Sequence, residues 1–343
     1  MMQSGENEDF RMSNPILVEV TRGSRVESCH RGSVAVVDGE GESVHALGDI
    51  AALVFPRSAI KVMQALPLIE SGAADRFGFG DKELSLACAS HSGEEGHVAL
   101  AADLLRRAGL DERALECGCH WPSDSGVARV LARQGRSPGA LHNNCSGKHS
   151  GFLCTAVAMG EPTAGYIGAD HPVQVRAKAA IEDLTGTALG EEDSGTDGCS
   201  IPTYAAPLQS FAHGFAKLVS GQGVSAERAR AGQRLIAACM AEPWYMAGTN
   251  RACVALIEAA PGRVFVKTGA EGVFCGAVPE LGLGFALKID DGAGRAAEIA
   301  TAATLAHIFR DRDPDVAGAY DALARKTLKN WNGIVVGELR AAQ

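Results

Sequence analysis

The sequence predicts an α+β fold: one mixed sheet built from both chain ends, with a helical middle segment packed beside it. Two observations carry this. Strand-like runs fill residues 15–22 and 32–38, continue through a turn to about 50, and return at 252–259, 263–269, 272–279 and 282–292. Between them, from Ser58 to about 243, apolar residues recur at helical spacing between Gly-rich breaks. Strands at both ends around an α-rich middle are most simply closed into a single sheet.

Taken in order, residues 1–13 are polar and aperiodic and read as a mobile tail, ahead of a single domain over 14–343. PILVEVTR (15–22) and GSVAVVD (32–38) are rich in β-branched residues, and GEGES (39–43) turns the chain into VHALGD as a hairpin. Helices are expected over 58–71, 82–89, 94–108, 125–134, 149–159, 172–185, 203–219 and 225–241. The sheet then resumes with ACVALIEA (252–259), RVFVKTG, GVFCGAVP and GLGFALKIDDG, and AGRAAEIATAATLAHIFRD (293–311) is read as a last long helix. The sheet part thus spans about 14–50 and 250–311, and the helical part about 58–243. No repeat, low-complexity block or long linker interrupts the chain.

A net charge of −9 argues against sequence-blind binding to nucleic acid or to an anionic membrane, both of which need clustered Lys and Arg. The longest apolar stretches, such as VALIEAA (254–260), fall far short of the roughly 18 residues of a membrane span, and the polar start is no signal peptide. The chain reads as a cytoplasmic protein. Its ten cysteines include no C-x-x-C pair, which suggests reduced thiols rather than a disulfide framework or a zinc finger.

FPRSAIKVMQAL (55–66) sets Ser58 and Lys61 one helical turn apart, in the only S-x-x-K of a chain with nine lysines. Ser58 fits two readings: a helix cap after Pro56, or a nucleophile whose proton passes to a lysine kept neutral by burial or a nearby cation. KTGAEG (267–272) puts Lys267 near the end of an apolar strand before a Gly-rich turn. S-x-x-K with a downstream K-T-G forms two of the three marks of penicilloyl serine transferases; the third, S-D-N, is reduced to Ser123-Asp124-Ser125. ACASHSGEEGHV (87–98) ends an apolar run in Ser90, His91 and Ser92, either hydroxyls at a site mouth or an ordinary helix start. HNNCSGKHSGFL (142–153) and SGTDGCSIPTYAAPL (194–208) hold Cys145, Lys148 and His149, and Asp197 and Cys199, in two Gly-bounded turns. Spacing alone supports a metal site there only weakly.

With RSAIK, CASHSGE, NNCSGKHSG, GTDGCSIPT and KTGAEG in this order over nearly the whole chain, the sequence resembles the Rhizobium-type, class 3 L-asparaginases of the asparaginase II family. The resemblance implies a fold similar to serine β-lactamases and glutaminases, a homodimer, and two serine–lysine tandems, Ser58 with Lys61 and Ser90 with Lys267. It also implies one zinc ion per chain beside the pocket, held by Cys145, Lys148 and Cys199, with Asp197 holding a metal-bound water. The expected reaction is hydrolysis of L-asparagine to L-aspartate and ammonia, with Ser58 the favoured nucleophile and Ser90 its rival. Arg57 is the candidate for the substrate α-carboxylate, Asp197 or Glu271 for its α-amine, and Cys253 borders the pocket or packs in the core. Two alternatives are carried: another serine amidohydrolase of the glutaminase or penicillin-binding class, and a non-catalytic, zinc-stabilised binding protein.

Overall fold

The computed structural model describes residues 13–342, so the expected tail at 1–13 lies, apart from Ser13, outside the described residues. The chain begins with β1 (Ile16–Arg22), the long β2 (Arg25–Val37), β3 (Ser43–Leu47) and the short β4 (Leu53–Val54). A 3-10 turn over Arg57–Ile60 leads into α1 (Lys61–Glu70), followed by α2 (Ala73–Arg76), α3 (Asp81–Ala87), α4 (Glu95–Arg107), α5 (Ser125–Arg133), α6 (Ser146–Met159) and α7 (Pro172–Thr185). Short strands β5 (Ser194–Thr196), β6 (Pro202–Tyr204) and β7 (Ala206–Pro207) precede α8 (Leu208–Ser220), α9 (Ala226–Ala241), α10 (Pro243–Met246) and α11 (Ala252–Glu258). The chain returns to the sheet with β8 (Phe265–Gly269), β9 (Val273–Val278) and β10 (Leu283–Ile289), then α12 (Gly294–Phe309), α13 (Pro314–Leu323), β11 (Arg325–Lys329) and β12 (Val335–Ala341).

The main sheet has eight strands in the order β11-β12-β1-β2-β10-β9-β8, with β3 also paired to β2, so both chain ends build it as expected. Its strands are not mixed in direction. Every pairing among the described residues is antiparallel, because short hairpins join β1 to β2, β2 to β3, β8 to β9, β9 to β10 and β11 to β12. β2 spans the junction of the two ends: its first half pairs with β1 and its second with β10.

Helix α8 covers one face of β2, β9 and β10, and α12, backed by α13, covers the other along β1, β10 and β12. With both faces covered, β9 reads VFCGAV and is buried at every position rather than alternating. Gly284 makes the α8 contact possible, since a Cβ there would lie 2.0 Å from the Ala212 carbonyl oxygen of α8. In the helical part, α1 is the hub, packed by α2, α6, α7 and α9, and its residues Lys61 to Leu68 are all buried.

Three expectations are corrected. The expected strand at 252–259 is instead the helix Ala252–Glu258; a short apolar run does not reveal its period, and burial of Cys253, Leu256 and Ile257 at i, i+3, i+4 marks a helical stripe. The helix expected from 203 starts at Leu208, after the short strands β6 and β7. The helix at 293–311 is not the last element. Asp313 caps α13 with Pro314 at its first position, and β11 and β12 then complete the sheet edge, where charged residues, exposed in β11 and mostly half-buried in β12, blur the strand pattern.

Gly284→Ala should lower stability by about 1–3 kcal/mol, the range for overpacking, and so lower the thermal unfolding midpoint. Gly294→Ala is the control, because an added Cβ there meets nothing within 4 Å; its midpoint should match the parent.

Candidate active site

Three segments meet at the N-terminus of α1. Lys61 is the first residue of that helix and fully buried, and the 3-10 turn before it packs on the end of β8. That contact needs Gly269, whose Cβ would fall 2.4 Å from the Pro56 carbonyl oxygen. Lys267, two residues earlier on β8, is thereby brought beneath the turn and is 1% exposed. Ser90 enters on the loop between α3 and α4, fixed by its own N–H donating to the Met246 carbonyl (2.9 Å) and the His91 N–H donating to the Asn144 carbonyl (3.1 Å).

The result is one hydroxyl between two amines: Lys61 Nζ lies 3.0 Å and Lys267 Nζ 2.9 Å from Ser90 Oγ. Lys61 also donates to the Ala89 carbonyl and contacts Cys145 Sγ at 3.0 Å, while Lys267 donates to the Thr268 carbonyl at 2.9 Å. Ser90 and Lys267 are thus in direct hydrogen-bond contact. Ser58, half-buried in the 3-10 turn, has no recorded hydrogen bond to Lys61, whose amine is turned to Ser90 instead. Burial, and next the positive charge of Lys61, push the Lys267 amine down to about 7. Arg251 acts in the same direction, and the thiols of Cys253 and Cys145 oppose it. After Lys61, the cation that lowers Lys267 is thus Arg251, a residue that sequence reasoning did not select.

Beside this cluster, Cys145 Sγ, Cys199 Sγ and an Asp197 carboxylate oxygen lie within 4.8 Å of one another, and Lys148 Nζ is 3.1 Å from Cys199 Sγ. The two thiols are coupled. Cys145 is the one pushed down: the Cys199 hydrogen bond, then the charges of Lys61 and Lys148, bring it well below the usual thiol value against the cost of burial. Cys199 is pushed up by the same partner and by burial, and its thiol donates to Asp197 Oδ2 at 3.2 Å. Lys148 is buried, which disfavours its charge, yet Cys199, Cys145 and Asp197 raise it overall, so this amine keeps its proton while no metal competes for it. Two thiols, an amine and a carboxylate converging in a buried site form a donor set that suits zinc.

Arg57 and Asp197 are joined to each other, Nε to Oδ1 at 2.5 Å. Burial raises the Asp197 carboxyl, but the charge of Lys148 and hydrogen bonds from Arg57 and Cys199 outweigh it and hold the group at about 2. Arg57 is in the left-handed region, φ 52°, as are Ser200 (φ 75°) and Asn250 (φ 59°), strain of a kind that gathers at functional sites. Glu271, also left-handed at φ 59°, is exposed in the β8–β9 turn with its carboxylate near Gly292; its carboxylate makes no hydrogen bond or ion pair with Arg57, Asp197, Lys61 or Lys267, and its carbonyl accepts from Lys288 Nζ at 2.6 Å. Cys253 is a packed residue after all, buried and accepting from the Thr268 N–H at 3.3 Å. Ser123 and Asp124 belong to the α5 start, where Asp124 caps the Val127 N–H.

Sequence reasoning also missed the support beneath Ser90. His91 is fully buried, with Nδ1 accepting from the Gly93 N–H and Nε2 2.9 Å from Ser146 Oγ. Glu94 caps nothing in its own helix; its carboxylate accepts from Thr249 N–H and Oγ1, tying the loop after α10 to the Ser90 loop. The left-handed Gly248 and Asn250 in GTNR were the available signal.

Such a cluster equips a chain for hydrolysis, in which an oxygen attacks a carbonyl carbon and a neighbouring amine takes its proton. The chain belongs to the L-asparaginase II family, whose sequence model matches residues 18–341. No curated protein matches the chain. Among solved structures it is similar to a β-lactamase from Mycobacterium bovis, at 15% identity, TM-score 0.43, covering 80% of this chain and 94% of that one. It is also similar to the protein Mglu, at 15% identity, TM-score 0.37, covering 82% and 67%. Both likenesses are loose, and the family match carries the identification. No helix among the described residues is long and apolar enough to cross a membrane.

Removing the Lys61 charge should let Lys267 bind its proton more tightly. In Lys61→Met, the Lys267 titration followed by the NMR shift of its Cε should move upward from about 7; an unmoved midpoint would contradict the charge coupling.

Proposed function

We propose that the protein is an L-asparaginase that hydrolyses L-asparagine to L-aspartate and ammonia through a lysine-activated serine. The observation that carries this reading is the Ser90 hydroxyl held between the amines of Lys61 and Lys267. A hydroxyl bridging two amines is suited to relay a proton, and Ser90 is 5% exposed, which is poor access for an attacking group. Ser58, half-exposed one turn before Lys61, is therefore assigned as the nucleophile and Ser90 as the relay.

In the first half-reaction Ser58 Oγ attacks the side-chain amide carbon while the Lys61 ammonium gives up one of its protons through Ser90 Oγ to the neutral Lys267 amine and takes the Ser58 proton in its place. Return of a proton to the amide nitrogen releases ammonia and leaves an aspartyl ester on Ser58. Water, activated by the same relay, then breaks that ester and frees aspartate. A Lys267 midpoint of about 7 suits the task, because such a group takes and gives a proton at neutral pH at little cost. Arg57 and Asp197, already paired, offer a cation for the substrate α-carboxylate and an anion for its α-ammonium. Glu271 takes no part in this scheme.

Cys145, Lys148 and Cys199 would hold one zinc ion per chain, with Asp197 beside it; bound there, zinc supplies a fixed positive charge and Lewis acidity at the edge of the pocket. We further assign the working form as a cytoplasmic homodimer, the state that light scattering would report as twice the chain mass.

Ser58→Ala and Lys61→Ala should each lower ammonia release from asparagine by roughly a thousandfold or more. Near-normal turnover in either variant would refute the mechanism, and nitrocefin cleavage without ammonia release would favour a penicillin-binding activity. Activity of the parent should fall as pH drops through about 7, because protonated Lys267 can accept nothing. Metal analysis should find one zinc per chain, lost in Cys145→Ser. If chelation lowers the unfolding midpoint while Ser58→Ala changes no activity, the chain is a zinc-stabilised binding protein.

A further inference from the structure

On the other side of α11 from the catalytic lysines lies a cavity of about 570 Å³, lined by α11, α12 and the start of β11. It gathers Arg251, Arg325 and Lys326 with Glu258 and Glu298. None of these five forms an ion pair within 4 Å among the described residues, although Glu298 is part-buried in the wall. Burial raises the Glu298 carboxyl while Lys326 and Arg251 pull it down, so cations stand near it without closing on it. Charges of both signs are thus held apart around a space within the range of small-molecule pockets, which run roughly 300–1,000 Å³.

We propose that this cavity is a second small-molecule site, which binds an acidic α-amino acid through carboxylates on Arg251, Arg325 and Lys326 and an ammonium on Glu298 and Glu258. Three cations and two carboxylates sum to one positive charge, matched by a ligand with two carboxylates and one ammonium. A simple dicarboxylate fits less well, because Glu298 in the wall repels it. A nucleic acid or polyphosphate is disfavoured for the same reason.

The site adjoins the reaction cluster. Arg251 immediately precedes α11, and the first turn of that helix carries Cys253, whose sulfur accepts the N–H of Thr268, the neighbour of Lys267. If the proposed activity holds, its product belongs to the class of ligand this cavity fits, and the site is placed to sense that product; this step rests on the proposed function, whereas the binding does not.

The test is calorimetric titration of the full chain with L-aspartate. The event assigned to the cavity should weaken at least tenfold in Arg325→Ala/Lys326→Ala, a variant altered only on an exposed edge strand, with ammonia release without added aspartate unchanged. Succinate, which lacks the ammonium, should bind that site at least tenfold more weakly than aspartate. Glu298→Gln should abolish that preference. Aspartate binding that is identical in parent and double variant, or succinate binding as tightly as aspartate, would overturn the proposal. Aspartate binding at the catalytic cluster is identified separately by its loss in Arg57→Ala, so failure of the asparaginase reading leaves the cavity test intact.

Discussion

Two lysine amines lie 2.9 and 3.0 Å from one serine hydroxyl in a nearly water-free interior. That arrangement constrains everything around it. Removing an ammonium from water costs several kcal/mol even after the protein relaxes, and two like charges so close add repulsion. Lys267 yields, with its midpoint brought to about 7, and the Lys61 amine contacts the Ala89 carbonyl and the Cys145 sulfur. The same burial that makes the lysines costly makes one of them useful, because an amine that gives up its proton near neutrality can act as a base.

The thiol cluster is the other half of this balance. The Cys145 sulfur sits between Lys61 and Lys148, and Asp197 sits between Lys148 and Arg57, so amines and guanidinium alternate with sulfur and carboxylate from one pocket into the next. Lys148 and Lys267 show how the surroundings decide: both are buried, but sulfur and carboxylate neighbours raise the first and cationic neighbours lower the second. Any group that draws the proton from Lys148 therefore alters the field at Lys61 through Cys145. In the proposed mechanism, metal binding and serine activation would be coupled through this one sulfur atom.

Much of this was legible in the sequence, and what was not has physical reasons. The helices of the middle segment and strands β1, β9 and β10 show in the apolar pattern because each buries a regular face or both faces. Residues 252–259 misled because a seven-residue helix and a buried strand share the same apolar run. β11 and β12 escaped notice because an edge hairpin needs little apolar patterning. S-x-x-K spacing correctly put Ser58 and Lys61 on one turn, yet it could not tell that the Lys61 amine would point to Ser90, 29 residues further on. Arg251 had no motif at all; only folding α11 against β8 brings its charge near Lys267. Glu271 was drawn in by its place in KTGAEG, but the turn carries its side chain toward Gly292.

Arg57 stands immediately before Ser58 with φ at 52°, a conformation that glycine adopts freely and a long side chain adopts only at a cost of roughly 1–3 kcal/mol. The position cannot be optimised for backbone and charge at once. Glycine would relax the turn and strip Asp197 of its guanidinium partner; every residue that keeps a guanidinium keeps the strain. Efforts to raise the heat resistance of this protein through its left-handed residues should therefore begin elsewhere, since here backbone strain and the ion pair with Asp197 are tied to the same side chain.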